Sequence, residues 1–384
     1  MVLSGVWRFD ERRRAGSREV PPVHGEHRQV APIDRTASAR RKMKVRLGIL
    51  FVLGYVSLYV VYGHLRSDLY APWYGSRVLM QHQSPYSSDV TRQIQMLYYG
   101  RPLLRGDEQR FAYPAYVSLL FLPVLIFPFQ VAQLLMIMLL VLSMCVLVRL
   151  SISMVEAATS PDPPLSNSAI MILTLISPPV LCGLLLQQVA LLVELLIIAT
   201  LWMIARRKYL GAGFLLALAT SKPQLALIPV IWLVVWSLGK WRERWKFILS
   251  FIVSSFLLVA YAAFFAGPTW VLQWLKGLVA YRGYAHGAVS VLELISGARL
   301  GPIVSALALL CLFSYMIVHR KVGSDSVDFL EVSFLLLALS LLVVPTLLSL
   351  FNYVLLIPGI LLISTTRHRV SRLAAVESHN LTSR

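Results

Sequence analysis

The stretch "GAGFLLALATSKPQLALIPVIWLVVW" at residues 211–236 contains a single charged side chain, Lys222, in an otherwise apolar run. A lysine at the centre of a membrane helix costs roughly 2.5–3.5 kcal/mol on insertion scales. We therefore expect Lys222 either to lie away from the membrane centre or to face a group that compensates its charge. Which of the two applies depends on how the rest of the chain crosses the membrane.

The composition of the whole chain is that of a polytopic membrane protein. The 384 residues are 57% hydrophobic and only 14% charged, and the mean hydropathy is +0.69; soluble domains do not have such values. The net charge of +18 might suggest nucleic acid as a partner, but 12 of the 36 Lys and Arg residues lie in the first 46 residues. That clustering is typical of a cytoplasmic tail, so we expect no nucleic-acid partner.

Charge-free runs of about 20 residues identify the candidate membrane-spanning helices. Three further runs hold 39, 31 and 38 residues, too many for one crossing, so each is predicted to fold back as two helices. The sequence thus predicts an all-α integral membrane protein with about ten transmembrane helices. The predicted single passes are 47–63, 129–148, 247–265 and 300–318, and the predicted hairpins are 167–205, 209–239 and 329–366.

Each predicted hairpin contains a polar or proline-bearing break where its turn can lie. The breaks are "LLLQQVA" at 184–190, "SKPQ" at 221–224 and "PTLLSLFNY" at 345–353. Residues 114–128 are apolar but too short to cross, and we interpret them as a re-entrant or interfacial helix.

The distribution of positive charge orients the predicted helices. With the N-terminus in the cytoplasm, 26 of the 36 Lys and Arg residues fall on the cytoplasmic side, as the positive-inside rule requires. The predicted organisation is a disordered basic cytoplasmic tail (1–45), a polytopic domain (46–366) and a cytoplasmic tail (367–384). Long extracytoplasmic loops are expected at 64–128 and 266–299.

This threading brings polar side chains to the extracytoplasmic ends of the hairpins. Lys222 lies at one such end, where its ammonium group would suit a phosphate; the alternative is a lysine that extends to the outer headgroups. Asp68 follows the first predicted span and is a candidate general base, although it could instead pair with Arg66. Four other polar residues belong to the outer ends of the remaining hairpins: Gln187, Gln188, Asn352 and Tyr353.

Other residues of the outer loops are weaker candidates. Tyr70 opens an aromatic cluster that is typical of a membrane-interface belt, although aromatic faces also suit sugar rings. Arg282 and His286 are either further phosphate contacts or members of an ordinary interfacial helix. We interpret Glu194 and Glu331 as structural residues.

Four stretches in order resemble glycosyltransferase family 87, the bacterial polyprenyl-phosphate-mannose-dependent mannosyltransferases of the GT-C fold class. They are "SDLYAPWYGSRVLMQHQSPY", "FAYPAYVSLLFLPVLIFPF", "SPPVLCGLLLQQVALLVELL" and "GAGFLLALATSKPQLALIPV", and the resemblance spans about residues 45–365. It implies an inverting hexosyltransferase in the bacterial plasma membrane. Such an enzyme moves a sugar, here mannose, from a polyprenyl-phosphate donor to a glycolipid or glycan acceptor on the extracytoplasmic face.

The resemblance also implies roles for particular residues. Asp68 matches the catalytic base, Tyr113 the tyrosine of the family's Tyr-Pro pair, and Lys222 with Gln224 the Lys-Pro-Gln stretch near the donor phosphate. Two departures concern donor and acceptor identity. The chain has Leu186 where the family often has glycine before glutamine, and Val354 where an acidic residue often follows the tyrosine.

Other function classes remain open at this stage. Broken helices also mark lipid or solute transporters and flippases, and a lipid-linked-glycan ligase or polymerase shares the architecture. Nucleotide-binding and metalloprotease motifs are absent from the sequence, and no cofactor is expected. A divalent cation is left open, because Asp68 with Asp89 or Asp107 offers possible ligands.

Overall fold

The structure of the protein, a computed structural model, describes residues 67–103, 109–159, 166–284, 289–345 and 349–366. Within these ranges the chain is helical and contains no strand. The first predicted span, 47–63, and both predicted tails lie outside the described residues. The helices are α1 (Tyr70–Met80), α2 (Ser88–Tyr99), α3 (Ser118–Leu125), α4 (Phe129–Thr159), α5 (Asn167–Leu175), α6 (Pro178–Leu185), α7 (Ala190–Ala205), α8 (Tyr209–Ala219), α9 (Pro223–Gly239), α10 (Trp241–Ala266), α11 (Trp270–Tyr284), α12 (Val291–His319) and α13 (Val327–Val343).

Two short 3-10 segments complete the described chain. Ala115–Val117 leads into α3, and Leu350–Leu356 leads into an apolar helix that ends at Thr366. The region predicted as a re-entrant or interfacial helix is thus a helical segment of 11 residues, Ala115–Leu125. At about 1.5 Å per residue it is too short to cross a bilayer.

Three described helices are long and apolar enough to cross a membrane: α4, α10 and the Arg299–His319 part of α12. Helices α5 and α6 form a fourth candidate if the pair, which is bent by 52°, counts as one span. Shorter apolar helices, including α7, α8 and α9, pack among them. The chain is therefore a helical membrane protein, and the count of ten spans stays a prediction.

Helix breaks occur at the three positions that the sequence predicts. Helix α6 ends at Leu185 and α7 begins at Ala190; α13 ends at Val343, before the 3-10 segment from Leu350. Helix α8 ends at Ala219, and α9 begins at Pro223. Proline fits the first position of a helix, because the N–H that it lacks would have no intrahelical partner there. The lysine before it therefore stands in the gap between two helices.

Several helices differ from the predicted boundaries. Helix α10 begins at Trp241 and α12 at Val291, before the predicted starts at 247 and 300. Helix α4 continues to Thr159 instead of ending at 148, because residues 149–159 contain neither glycine nor proline and so offer no stop signal. The predicted single helix at the start of the 167–205 hairpin is split into α5 and α6. Ser177 and the prolines at 178 and 179 separate the two halves, since proline disfavours helical conformation in the residue before it.

Helices α8 and α10 pack closely. A β-carbon placed on Gly213 would lie 2.5 Å from the carbonyl oxygen of Phe247 and 2.7 Å from the amide nitrogen of Phe251. The hydroxyl of Ser250 also donates a 2.6 Å hydrogen bond to the carbonyl oxygen of Leu210. The two backbones approach so closely only because position 213 carries no side chain.

In the first turn of α10, one turn before Phe247, Arg244 joins three chain segments. Its side chain is 1% exposed and donates hydrogen bonds to the carbonyl oxygens of Trp236, Arg320 and Val322. The guanidinium carbon lies 3.7 Å from the ring centroid of Trp236. Arg244 thereby satisfies helix-end carbonyl groups that the helices themselves leave unpaired.

Candidate functional site

The turn between α6 and α7 holds the segment that carries Asp68. Gln187 adopts a left-handed backbone conformation, with φ of 55°, which turns the chain sharply between the two helices. The amide nitrogen of Asp68 donates a 3.0 Å hydrogen bond to the carbonyl oxygen of Leu186. The side chain of Gln188, which is buried, donates to Oδ2 of the Asp68 carboxylate. One turn therefore fixes both the backbone and the side chain of residue 68.

Gln187 ties the same turn to two other segments. Its side chain is 1% exposed; Oε1 accepts a hydrogen bond from the hydroxyl of Ser67 and one from Nε2 of Gln133, at 3.4 Å. Of the two predicted glutamines, Gln188 thus contacts the candidate base, and Gln187 fastens the turn that holds it.

Lys222 is buried in the gap between α8 and α9. Its backbone amide donates to the carbonyl oxygen of Ala219, at 3.3 Å, and its carbonyl oxygen accepts from the amide of Leu225, at 3.0 Å. The side chain is 5% exposed, so the ammonium group is enclosed by protein. Its Nζ lies 4.7 Å from the ring centroid of Phe351, a favourable contact between a cation and an aromatic face.

Two acidic side chains, those of Asp68 and Glu194, lie within Coulombic range of the Lys222 ammonium group. Asp68 is partly exposed, whereas Glu194 is fully buried in α7. The structure therefore places Asp68, Gln188 and Lys222 near one another.

Glu194 was interpreted from the sequence as a structural residue, and its position beside Lys222 was missed. The available signal was its location: an ionisable side chain inside an apolar run is a candidate functional residue. Glu331, the other glutamate in that interpretation, is exposed on α13.

The third predicted break contributes Asn352, beside the phenylalanine that contacts Lys222. Asn352 is fully buried, and neither its Oδ1 nor its Nδ2 has a hydrogen-bond partner among the described residues. Tyr353, the next predicted residue, is partly buried.

The aromatic candidate Tyr70 lies on α1, in an aromatic cluster. Its ring centroid is 4.3 Å from that of Phe129 and 6.1 Å from that of Trp73. A cleft of about 310 Å³ opens beside it, and Trp73, Tyr74 and Arg77 also line this cleft. Aromatic faces beside a cation and an open cleft suit a polyhydroxylated ligand.

Four candidates remain: Tyr113, Gln224, Arg282 and His286. The structure describes the first two fully and Arg282 only in its backbone. The backbone carbonyl of Tyr113 accepts a 2.9 Å hydrogen bond from the hydroxyl of Tyr86, and Gln224 lies partly buried in the first turn of α9. The backbone of Arg282 belongs to α11, but its side chain and the whole of His286 lie outside the described residues.

The possible metal ligands are not gathered in the part of the chain that the structure describes. Asp89 is exposed and pairs with Arg92 at 3.8 Å, and Asp107 lies outside the described residues. Among the described residues no three His, Cys, Asp or Glu side chains form a group that would hold a metal ion.

Comparison with known proteins gives one family and no individual relative. The family model described as Glycosyltransferase family 87 matches residues 111–345, more than half of the chain. No curated protein matches the chain, and neither does any solved structure. The matched range includes Gln188, Glu194, Lys222 and Tyr113, whereas Asp68 precedes it.

Proposed function

Because the chain belongs to glycosyltransferase family 87 and is thus a membrane glycosyltransferase, we propose that it moves a hexose, mannose, from a polyprenyl-phosphate donor to a lipid or glycan acceptor. In this proposal Asp68 is the general base, and Lys222 binds the donor phosphate. The observation that carries it is the placement of a carboxylate held by Gln188 within Coulombic range of a buried ammonium group.

The proposed transfer inverts the configuration of the sugar. The Asp68 carboxylate takes the proton of the acceptor hydroxyl as its oxygen attacks the anomeric carbon. The bond between that carbon and the phosphate oxygen breaks, and the electron pair leaves with the polyprenyl phosphate. Lys222 stabilises the negative charge that develops on this leaving group.

The burial of Lys222 supports a phosphate ligand. An ammonium group that is 5% exposed has lost most of its hydration, and a buried cation is stable only where anions or dipoles replace the water. At the start of α9 the amides of Leu225 and Ala226 already donate to the carbonyl oxygen of Lys222, so the ammonium group itself would bind the ligand. A phosphate monoester or diester fits this feature.

The other site residues have supporting roles in the proposal. Tyr70, Tyr113, Gln187, Gln188, Asn352 and Tyr353 would contact or position the substrates, and Gln224, Arg282 and His286 would extend the phosphate site. The aromatic cleft beside Tyr70 favours a sugar-bearing acceptor over a purely apolar one.

The proposed topology has about ten spans in a GT-C-like arrangement in a bacterial plasma membrane. The tails at 1–45 and 367–384 would be cytoplasmic, and the loops 64–128 and 266–299 of the 46–366 domain extracytoplasmic. The helix breaks near the polar residues and the placement of 26 of the 36 Lys and Arg residues in the proposed cytoplasmic segments support this arrangement.

The test is transfer of labelled mannose from synthetic polyprenyl-phosphate-mannose to membrane-extracted acceptors by the purified protein. Asp68→Asn is expected to abolish transfer, because an amide cannot take the proton. Asp89→Asn is the matched control: it makes the same change in an exposed carboxylate of the same loop. Gln188→Ala should reduce the rate without abolishing it, since it removes only the hydrogen bond that orients the base.

Equal transfer by wild type and Asp68→Asn would remove Asp68 as the base. Movement of the unaltered lipid-linked sugar across a bilayer, without transfer, would favour the flippase alternative. A ligase or polymerase would be indicated if whole glycan chains, rather than single sugars, were transferred.

A further inference from the structure

A basic cavity lies where helices α8 and α10 begin. Its volume is about 590 Å³, within the range that is typical of ligand sites. Aromatic walls are supplied by Tyr209 and Trp245. Four cationic side chains and one carboxylate also line the cavity: Arg207, Lys208, Arg242, Lys246 and Glu243.

Three of the four cations have no carboxylate partner in the described part of the chain. Arg207 forms an ion pair with Asp325, with 3.1 Å between Nη2 and Oδ2. Within the same ranges Lys208, Arg242 and Lys246 form no salt bridge. Like charges that gather at one cavity repel one another, so an anion among them would lower the electrostatic free energy.

The polarity of the two helices adds to the positive potential at the cavity. Lys208 is the N-cap residue of α8 and Lys240 that of α10, and neither side chain makes a capping hydrogen bond. Helix N-termini favour acidic residues and Ser, Thr, Asp or Asn caps, because the helix dipole is positive there. Glu243 is the one acidic side chain in the first turns of these two helices, so the cations outnumber it.

The depth of the cavity in the membrane follows from α10. Residues 247–266 of this candidate span carry no charged side chain, and at about 1.5 Å per residue they extend about 30 Å, the thickness of the hydrocarbon core. The charged residues at 242–246 therefore lie just outside that core, at the level of the lipid head groups. The half-exposed indole of Trp245 is a side chain typical of this level.

An apolar face continues from the cavity into the membrane. Its α10 part consists of side chains that are 46–70% exposed and spaced at successive helical turns: Leu249, Ile252, Val253 and Phe256. On α8, Leu210 lines the cavity and is 57% exposed. These side chains are open to lipid in the described chain, so acyl chains can lie against them beneath a head group in the cavity.

We propose that this cavity binds the phosphate head group of an anionic phospholipid whose acyl chains lie along the exposed face of α10. Lys208, Arg242 and Lys246 supply the positive charge, and the hydroxyl of Tyr209 can donate a hydrogen bond to the phosphate. The ligand is a lipid and not a free phosphate, because a basic pocket between helices adjoins an apolar face at head-group depth. The inference is independent of the proposed function.

The experiment measures binding of phosphatidylglycerol to the full-length protein in neutral detergent by native mass spectrometry. Each cation near an anionic lipid contributes about fivefold to binding. The double variant Arg242→Gln, Lys246→Gln should therefore raise the Kd about thirtyfold, which corresponds to about 2 kcal/mol. If this variant does not fold, Lys208→Gln on the other helix provides a second test, with an expected increase of about fivefold.

The matched control is the double variant Arg149→Gln, Lys321→Gln. It also removes one arginine and one lysine, both exposed and neither among the residues that line the cavity. Its Kd should equal that of the wild type. The charge-conserving variant Arg242→Lys, Lys246→Arg should bind phosphatidylglycerol far more tightly than the double glutamine variant, because both cations remain.

Three outcomes would overturn the proposal. Equal weakening by the cavity and control variants would show that the overall positive charge of the protein, and not the cavity, attracts the lipid. Phosphatidylcholine that binds as tightly as phosphatidylglycerol would remove the role of the cations. Inorganic phosphate that binds as tightly as the lipid would make a free phosphate the ligand. The proposed transferase is unaffected by each outcome, because neither Asp68 nor Lys222 is changed.

Discussion

The contact between α8 and α10 predicts an unusual sensitivity to a single methyl group. In Gly213→Ala the new β-carbon would lie 2.5 Å from a carbonyl oxygen and 2.7 Å from an amide nitrogen of α10. Favourable contacts of carbon with heavy atoms lie near 3.5–4.0 Å, so the helices must separate by about 1 Å. Both obstructing atoms belong to the backbone, and no side-chain rotation can relieve the contact.

A second glycine of α8 supplies the matched control. At Gly211 a β-carbon would meet only the flexible end of Met203, at 3.3–3.4 Å. Both substitutions gain up to about 1 kcal/mol from the higher helix propensity of alanine, and this gain largely cancels between them. The difference that remains is the cost of overpacking at position 213, about 1–3 kcal/mol.

The assay is thermal unfolding in one detergent at one scan rate. At about 2–4 °C per kcal/mol, Gly213→Ala should unfold about 2–12 °C below Gly211→Ala. Transfer activity should fall as well, because α8 leads to Lys222 and a displacement of about 1 Å at a site can cost 10²-fold in rate. Equal unfolding temperatures for the two variants would refute the argument that the backbone contact is tight.

Two further predictions concern Arg244 in α10 and Tyr86 between α1 and α2. Arg244→Met should lower the free energy of unfolding by about 2–4 kcal/mol, because it leaves buried carbonyl groups without hydrogen-bond donors. Arg244→Lys should unfold at a temperature between those of the wild type and Arg244→Met. A wild-type unfolding temperature for Arg244→Met would contradict this prediction. Burial raises the pKa of Tyr86 well above its usual value, so ionisation favours the unfolded chain above about pH 10 and stability falls as the pH rises. The unfolding temperature of Tyr86→Phe should therefore fall less between about pH 9 and 11 than that of the wild type. If the two proteins lose the same amount over this range, Tyr86 is not the group responsible for the loss.

The sequence was informative where apolar runs were interrupted. Pro223 and the paired glutamines mark real helix breaks, because proline and polar residues are local signals that tertiary packing did not override. The predicted threading places Asp68 and Lys222 at one face of the membrane, and this topology stays a prediction.

The sequence was less informative where the answer depended on packing. The bend between α5 and α6 and the extension of α4 to Thr159 reflect local chain preferences near the helix ends, and boundaries are difficult to place from hydropathy alone. The complete burial of Glu194 likewise depends on packing. An isolated glutamate in an apolar run is compatible with either role until its partners are known.

The attachment of Asp68 to the α6–α7 turn limits where insertions and deletions can occur in the chain. The backbone bond to Leu186 and the side-chain bond from Gln188 fix the register of the segment around Asp68. A residue inserted or deleted beside this position would rotate the carboxylate away from Lys222. Insertions and deletions among related chains should therefore be excluded from the junction before α1 and tolerated in the later part of the same loop.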